Sequence, residues 1–283
     1  MSRWFRMAVD GSVQPLVAVS PDERALQYGD GLFETIAIRD AAPRLLPLHL
    51  ERLATGCQRL GLDAPGESSL VFVVGALVDR ENCGEGVLKI IVSAGPAQRG
   101  YRRAGSRSSV WLGLFERAAP RRPAGDNGVC VRICDTRLAI QPQLAGIKSL
   151  NRLEQVLARA EWDDDSVFEG LMLDTEGRLV CGTMSNVFIV RDNAVVTPAI
   201  TRCGVSGVMR RHLLAELHRA SIETQIVDLD LDEALDADAM FLTNSQFGLL
   251  AVERCEERHF AGHPLTERAT ELLAEAGIAE CRR

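Results

Sequence analysis

The stretch of sequence that decides the fold is Gly146-Ile147-Lys148-Ser149-Leu150-Asn151-Arg152-Leu153-Glu154-Gln155. Apolar residues recur around and after this lysine at a helical spacing, at Leu150, Leu153, Leu157 and Ala160. The spacing predicts an amphipathic helix, with the amine of Lys148 projecting from its start into a cavity lined by the preceding segment. A lysine in this position is either a surface residue beside a helix start or a reactive amine.

Length and charge bound the possible functions. At 283 residues, with 46% hydrophobic and 25% charged residues, the chain can bury one large core or two ordinary ones. A formal charge of -7 argues against nucleic acid or an anionic membrane as the main partner, so an anionic ligand needs a local arginine cluster. Because no apolar run is long enough for a membrane span and the N-terminus does not resemble a signal peptide, we expect a cytoplasmic protein.

The cysteines indicate a reducing environment. Eight of them are scattered along the chain without a C-x-x-C pair, at positions 57, 83, 130, 134, 181, 203, 255 and 281. This pattern is typical of reduced thiols and not of a disulfide framework or a zinc site. His259 and His263 are close in sequence but fall in a polar turn, so we expect no metal site.

The composition along the chain predicts two domains joined by a linker. The first is a smaller α+β domain over residues 1–116, and a segment rich in Pro, Arg, Ala and Gly over 117–128 is the linker candidate. Residues 129–283 then form the larger domain.

A helix is predicted in the first domain at about residues 47–61. Pro47 suits its first turn, and its buried stripe is predicted to comprise Leu46, Leu50, Leu53, Cys57 and Leu60. His49 and Arg52 fall off that stripe. Arg52 is therefore either a solvated helix arginine or a ligand for an anion.

The densest basic patch of the first half is the loop over residues 95–103. It carries Arg99, Arg102 and Arg103 together with Tyr101. The loop is either a solvated turn or a grip for a carboxylate, which the planar arginine fork binds in bidentate fashion. Tyr101 would orient a substrate there or cap the loop.

Two hairpins and a glycine-opened helix are predicted in the second domain. The hairpins run over 169–180 and 187–197, and the small polar segment 181–186 between them is typical of a loop lining a site. Gly204-Val205-Ser206-Gly207 precedes a helix at about 207–220. Its exposed N–H groups would cradle a phosphate, although glycine and serine also open many helices simply as caps.

Together these stretches resemble the fold-type IV pyridoxal-phosphate enzymes, and most closely the aminodeoxychorismate lyases, from Tyr28 to Asn244. The resemblance implies an α/β fold, with an α+β N-terminal domain and a C-terminal α/β barrel-like domain, bound pyridoxal 5′-phosphate and a homodimer. The run from Lys148 to Gln155 is similar to the lyase form of the motif. In that family the lysine matching Lys148 forms the Schiff base with the cofactor.

The resemblance also implies other site residues, each matched to a family position. The phosphate-binding arginine matches Arg52, in the His49-x-x-Arg52-Leu53 segment, and the phosphate loop matches Val208 and Met209. A further hydroxyl position matches Ser245, and the substrate-carboxylate loop matches Arg99 and Tyr101. The implied substrate has two carboxylates, and we expect Arg99 with one of Arg102, Arg103 or Arg107 to hold at least one of them. Thr35 and Asn151 are candidates for lining the site, with a structural role as the alternative.

Cys181 is the main departure from the family pattern. The family usually places a glutamate there, against the pyridine nitrogen, where a carboxylate keeps the ring protonated and strengthens the electron sink. Either Cys181 donates a weak S–H bond, or a neighbour such as Thr183 intervenes, or the match is shifted by one residue.

The lyase resemblance implies conversion of 4-amino-4-deoxychorismate to 4-aminobenzoate and pyruvate. Two alternatives stay open at the level of sequence. One is an aminotransferase of the same fold that acts on branched-chain or D-amino acids, since a shared scaffold does not assign chemistry. The other is a non-catalytic member of the fold, which Cys181 and Met209 keep possible.

Overall fold

The computed structural model describes residues 3–8, 11–103, 107–116 and 128–282. Contacts divide the chain into unit 1, comprising Met1–Pro120 and Ile147–Asn151, and unit 2, comprising Arg121–Gly146 and Arg152–Arg283. The predicted linker, 117–128, lies outside the described residues except for Gly128. The predicted second domain, 129–283, includes Ile147–Asn151, which the contacts group with unit 1.

Unit 1 is built on an antiparallel sheet. Over the described residues its six strands are β1 (Arg3–Met7), β2 (Val13–Pro15), β3 (Gly31–Arg39), β4 (Ala42–Pro43), β5 (Gly86–Ser93) and β6 (Ser109–Glu116), in the order β2-β1-β6-β5-β3-β4. Its helices are α1 (Arg24–Tyr28), α2 (Leu46–Leu60) and α3 (Glu67–Arg80). Buried β-branched residues such as Ile36 and Ile90 fill the central strands, which suits them to a pleated, packed surface.

Helix α2 matches its prediction closely. Its second residue is Pro47, and Gly61 ends it with φ of 63°, a left-handed conformation that glycine adopts without strain. Leu50, Leu53 and Cys57 are buried as predicted. The expectation that His49 lies off the buried stripe was wrong: its side chain is buried because the imidazole bonds to Glu34 on β3.

The segment Ile147–Asn151 lies along β3 as an extended strand-like piece. The N–H of Phe33 donates to the carbonyl of Lys148 (2.9 Å), and the N–H of Leu150 donates to the carbonyl of Gly31 (3.0 Å). Ser149 forms an antiparallel bridge with Leu32. These bonds fix the backbone on both sides of Ser149, directly after Lys148.

The amphipathic helix predicted after Lys148 was partly wrong. Helix α4 (Leu153–Arg159) begins only at Leu153, so Lys148 lies in extended backbone and not at the mouth of a helix. The apolar side chains of its predicted amphipathic face are exposed, with Leu153 76% and Leu157 60% accessible. Helical spacing identified the helix, but the side chain of Ala158 is what it buries.

Unit 2 contains a larger sheet that curls into a nearly closed barrel. Its described strands are β7 (Val129–Ile133), β8 (Val167–Leu173), β9 (Arg178–Gly182), β10 (Asn186–Arg191), β11 (Ala194–Pro198), β12 (Thr224–Val227), β13 (Leu229–Asp230), β14 (Ala239–Asn244), β15 (Gly248–Cys255) and β16 (Arg258–His259). Their order is β12-β11-β10-β14-β15-β7-β8-β9-β13, with β16 beside β15. Helices α5 (Val208–Arg219), α6 (Leu231–Leu235) and α7 (Pro264–Glu275) and the short 3₁₀ helix Ala279–Cys281 complete the unit.

Both predicted hairpins are confirmed. Strands β8 and β9 pair antiparallel, as do β10 and β11. The turn between β10 and β11 uses Asp192 and Asn193 at φ of 51° and 62°, the positive values that a tight two-residue hairpin requires. The segment that joins the two hairpins, residues 181–186, begins in the last two residues of β9.

We expect Gly31→Ala to destabilise unit 1. A Cβ atom there would lie 2.4 Å from the carbonyl oxygen of Val92 and 2.9 Å from Cδ1 of Leu150, so β5 or the segment carrying Lys148 must shift. The free energy of unfolding, measured by urea denaturation, should fall by about 1–3 kcal/mol. Gly75→Ala is the matched control: its Cβ meets nothing within 4 Å in the middle of α3, and alanine there should add about 0.5–1 kcal/mol. Equal stability of the Gly31 variant and the parent would contradict this packing.

Candidate functional site

Lys148 lies against an aromatic ring on β3. Its Nζ is 4.4 Å from the ring centroid of Phe33, and the Nζ of Lys89 is 4.9 Å from the same centroid. These two are the only lysines in the sequence. An ammonium over an aromatic face is attracted by the ring quadrupole. Lys148 is half-buried and held by its backbone, which disfavours the interpretation of a freely solvated surface lysine.

Three charged or titratable side chains form what we call the Glu34 cluster, comprising Glu34, His49 and Arg52. Oε1 of Glu34 accepts from Nε of Arg52 (2.8 Å) and Oε2 from Nη2 (2.5 Å), while Nδ1 of His49 lies 2.6 Å from Oε2. Although burial opposes ionisation, the Arg52 charge and the bonds from both partners lower the pKa of Glu34 to about 2. Arg52 is therefore an anchored arginine and not a solvated one.

His49 is neutral in this cluster. Burial lowers its pKa, and the charges of Arg52 and Lys148 act in the same direction, although Glu34 opposes them. With the proton of the neutral ring on Nδ1, facing Glu34, Nε2 is an acceptor. Nε2 is buried and has no hydrogen-bond partner among the described residues.

Thr35 lies on the face of β3 that carries Phe33. Strand residues alternate between faces, so Phe33 and Thr35 share the half-buried face while Glu34 lies on the buried one. Thr35 is paired in register with Lys89 of β5. Asn151 is exposed, and its Nδ2 donates to the carbonyl of Gly29 (3.1 Å), which ties the lysine segment to the turn before β3.

Asp30 anchors the arginine loop, a role that sequence spacing did not indicate. Its carboxylate accepts from Nε of Arg24 (2.8 Å) and from Nε of Arg103 (2.8 Å). Arg24 is buried and also donates to the carbonyls of Gly100 (2.7 Å) and Tyr101 (3.1 Å). Although burial opposes ionisation, the bonds from the two arginines keep the pKa of Asp30 below its usual value. Arg24 and Asp30 thus fix the arginine loop in place, so it is not a loose turn.

The side chains predicted to bind a carboxylate differ in their placement on this loop. Arg103 is committed to Asp30, whereas Arg99, Arg102 and Arg107 are exposed. The Tyr101 side chain is 88% exposed, with its ring 5.5 Å from that of Tyr28. Of the predicted carboxylate ligands, the exposed arginines are the ones available to a solute.

In unit 2, Cys181 is buried near the end of β9. It packs in an apolar cluster with Cys134, Trp162, Met172 and Cys203 among others. Burial raises its pKa to about 12, and the nearby Glu169 charge adds to the rise. The thiol therefore stays protonated near neutral pH.

Glu169 organises the segment after Cys181. Its carboxylate accepts from the N–H groups of Gly170 (3.0 Å), Thr183 (3.1 Å) and Met184 (3.1 Å) and from the hydroxyls of Thr183 (2.5 Å) and Ser185 (2.8 Å). Burial raises the pKa of Glu169, and these bonds limit the rise. The Thr183 hydroxyl is committed to Glu169, which disfavours Thr183 as a stand-in for the missing glutamate.

The N-terminus of α5 suits a phosphate. Gly207 caps it without a side-chain hydrogen bond, and a Cβ there would lie 2.0 Å from Oδ1 of Asn186, so the position needs glycine. Val208 and Met209 bury their side chains, which leaves backbone N–H groups and the helix dipole to bind an anion. These backbone groups fit a cofactor phosphate, although the side chain of Met209 has no hydroxyl to add.

Two further residues of unit 2 are Ser245, which was predicted to bind the cofactor, and Arg210. Ser245 lies half-buried in the turn after β14, where Asn244 donates to the carbonyl of Met184. Arg210 in α5 is buried, donates to Pro198 (3.0 Å), and pairs with none of the described carboxylates. Burial lowers the pKa of Arg210 to about 10. Sequence inspection did not identify Arg210, because a helix arginine is usually solvated.

Two classes of site are not found within the described ranges. No group of three or more His, Cys, Asp or Glu side chains there could hold a metal ion. No helix in those ranges is long and apolar enough to cross a membrane.

Known proteins resemble this chain over most of its length. The aminodeoxychorismate lyase of Vibrio harveyi is 35% identical over 84% of this chain and 88% of its own length. The crystal structure of 4-amino-4-deoxychorismate lyase from Pseudomonas aeruginosa is 40% identical, with a TM-score of 0.86 over 97% of this chain and 98% of that one. A hypothetical aminotransferase from Mycobacterium tuberculosis in its PLP-bound form shares the fold, with a TM-score of 0.84 and 22% identity over 99% of this chain and 100% of that one.

The predicted α/β fold of the fold-type IV enzymes is confirmed by these structural matches. The family model for amino-transferase class IV matches residues 31–255, from the start of β3 to the end of β15. That range includes the lysine segment, the Glu34 cluster and the phosphate-suited end of α5. This chain belongs to the class IV aminotransferase family.

Proposed function

We propose that this protein is a lyase that converts 4-amino-4-deoxychorismate to 4-aminobenzoate and pyruvate, a step in folate biosynthesis. The observation that carries the proposal is the lyase-like run from Lys148 to Gln155, in a chain that matches two lyases over most of its length. The cofactor is pyridoxal 5′-phosphate, in keeping with the family. When bound, it supplies the electron sink for the reaction.

In this proposal the cofactor phosphate is bound by the residues that match the family's phosphate ligands. They are Arg52, the N–H groups of Val208 and Met209, and the hydroxyl of Ser245. The support is the anchored guanidinium of Arg52 and the open, glycine-capped end of α5. Each contributes a donor that is fixed before the anion arrives.

Lys148 would hold the cofactor covalently, and its amine would become free to move the proton once the substrate amine has displaced it. Its amine takes the proton from the amine-bearing ring carbon of the substrate, after which the C–O bond to the enolpyruvyl group breaks. The leaving oxygen takes the bonding electron pair and a proton, and the released enol becomes pyruvate. The Phe33 ring and the paired backbone support this role, because they limit where the amine can reach.

Arg99 and Tyr101 bind a substrate carboxylate, with Arg102 or Arg107 as a second cationic ligand. Arg103 leaves this group because its guanidinium is committed to Asp30. Thr35 lines the site beside Phe33. Asn151 acts on the site through its bond to Gly29.

Cys181 takes the place of the family's glutamate and donates a weak S–H bond. A thiol whose pKa is about 12 carries no charge near neutral pH, so it does not keep a ring nitrogen protonated. An elimination with an aromatic product has a large driving force of its own. The proposal is therefore that this chemistry tolerates a weaker electron sink.

We propose that the protein is a homodimer and that it lies in the cytoplasm. Helix α4 exposes three neighbouring apolar side chains, Leu153, Val156 and Leu157, at 76%, 60% and 60% accessibility, and such patches usually mark an interface. All eight cysteines are free, which fits a reducing compartment. Sedimentation of a Leu157→Glu variant as a monomer would support the interface.

Covalent trapping should assign the reactive lysine. Borohydride reduction of the protein loaded with pyridoxal 5′-phosphate, followed by peptide mapping, should place the adduct on Lys148. Lys148→Ala should abolish both the adduct and pyruvate release, because no other amine holds that position. Lys89→Arg is the matched control, since Lys89 lies against the same ring, and its adduct should stay on Lys148. An adduct on Lys89 in the parent protein would contradict the assignment.

Arg99→Ala should raise the Michaelis constant for 4-amino-4-deoxychorismate by about 10–100-fold with little change in kcat. The reason is the loss of a charge-assisted hydrogen bond of about 1.5–3 kcal/mol in substrate binding. Arg59→Ala removes a comparably exposed arginine from α2 and should leave both constants unchanged. An unchanged Michaelis constant in the Arg99 variant would remove it from the substrate site.

Cys181→Glu should lower pyruvate release by about tenfold, because a second carboxylate beside Glu169 in an apolar cluster is poorly accommodated. Cys181→Ser, which stays neutral, should keep a rate close to that of the parent. Both variants should also be assayed for 2-oxoacid-dependent amine transfer. A strong rise in the lyase rate of the glutamate variant would show that the cysteine is a handicap. Amine transfer without pyruvate release in the parent would favour the aminotransferase alternative.

A further inference from the structure

We propose that Glu34 is a positioning residue that aims the guanidinium of Arg52 at the cofactor phosphate. The inference rests on the proposed role of Arg52 and goes beyond it, since Glu34 itself touches neither cofactor nor substrate. Both side chains come from regular elements, Glu34 from β3 and Arg52 from α2. Their relative position is therefore set by the packing of the helix on the sheet.

The carboxylate of Glu34 fixes one edge of the guanidinium. Its two oxygens accept separately from Nε (2.8 Å) and Nη2 (2.5 Å) of Arg52, the parallel fork that sets both the plane and the direction of an arginine. Only 1% of the Glu34 side chain and 11% of the Arg52 side chain are exposed. With that edge occupied, the opposite edge, which carries Nη1, has a defined direction.

His49 holds the carboxylate in turn. Its Nδ1 lies 2.6 Å from Oε2 of Glu34, so the oxygen bonded to Nη2 of Arg52 has a second donor. The orientation of Arg52 thus depends on a chain of contacts from His49 through Glu34. The two neighbours are one helical turn apart on α2, so a single carboxylate bridges them.

Charge and orientation make opposite demands on this cluster. A buried negative charge beside Arg52 offsets the attraction between the arginine and a phosphate. If attraction alone mattered, Glu34 would weaken binding. Glu34 nevertheless binds Arg52 through two hydrogen bonds. This helps an anion site only if the fixed orientation of the guanidinium adds more to phosphate affinity than the cancelled charge removes.

Cofactor binding by the apoenzyme tests the proposal. Dissociation constants for pyridoxal 5′-phosphate and for pyridoxal, which lacks the phosphate, are measured by visible absorption for the parent and Glu34→Gln. We expect the phosphate form to bind about tenfold more weakly in the variant, with pyridoxal within about twofold of the parent. The amide can accept at one atom only, so the fork to Arg52 is broken.

A double-mutant cycle tests whether Glu34 acts through Arg52. In an Arg52→Gln background, Glu34→Gln should have no further effect on the affinity ratio of the two ligands. Glu23→Gln is the matched control, because Glu23 is another buried carboxylate of unit 1, held by Ser93 and by Ser109 (3.1 Å). It should leave the ratio unchanged.

The possible outcomes separate the explanations. Equal weakening for both ligands would show a merely structural role, and tighter binding of the phosphate form would show that charge dominates; either result overturns the proposal. If Glu34→Gln does not fold, Glu34→Asp keeps the charge, shortens the reach and should still weaken only the phosphate form. The binding experiment uses no substrate. A parent protein without lyase turnover would therefore refute the proposed function but would not affect the conclusion about Glu34.

Discussion

The structure of unit 1 depends on the backbone pairing between β3 and the segment Ile147–Asn151. Two hydrogen bonds, from Phe33 to Lys148 and from Leu150 to Gly31, hold this segment although it is far from β3 in the sequence. Each buried amide bond is worth only about 0.5–1.5 kcal/mol net. Their value lies in geometry, because they set the Lys148 amine beside Phe33 before any ligand binds. The close approach explains why Gly31 has no side chain.

Buried and half-buried carboxylates are the second organising element, and each one fixes a different loop or side chain. Glu34 binds an arginine, Asp30 anchors the arginine loop, and Glu169 accepts from five donors, four of them in the segment after Cys181. Leaving a carboxylate unpaired inside a protein costs several kcal/mol, so each of these is surrounded by donors. The same bonds restrict the backbone and side chains that donate them. Loops that would otherwise be loose are thereby held in one conformation.

Periodicity in the sequence predicted what depends on local pattern. The hairpins, helix α2 and helix α5 follow from apolar spacing and turn residues, and the lysine motif marked the segment that pairs with β3. The carboxylates were not predicted, because Glu34 and Glu169 look like ordinary polar positions in a strand and their partners are distant in the sequence. His49 was misassigned for the same reason: its burial is decided by Glu34 and not by the helix stripe. Apolar spacing located helix α4 but did not show that Leu153 and Leu157 are exposed, because spacing does not say what covers a helix.

Cys181 links this packing to the choice of reaction. A neutral thiol in an apolar cluster has no charge to offer a pyridine nitrogen. The carboxylate of Glu169, whose charge acts on Cys181, has both oxygens bonded to Thr183 and Ser185. Removing a proton leaves negative charge on the substrate. In a transamination this charge must be stabilised until a proton returns at a different atom. In an elimination the charge is removed when the C–O bond breaks, and the formation of an aromatic ring drives that bond cleavage. If Cys181 takes the glutamate's place as proposed, the loss of that glutamate costs transfer more than elimination, and this residue supports the proposed lyase chemistry.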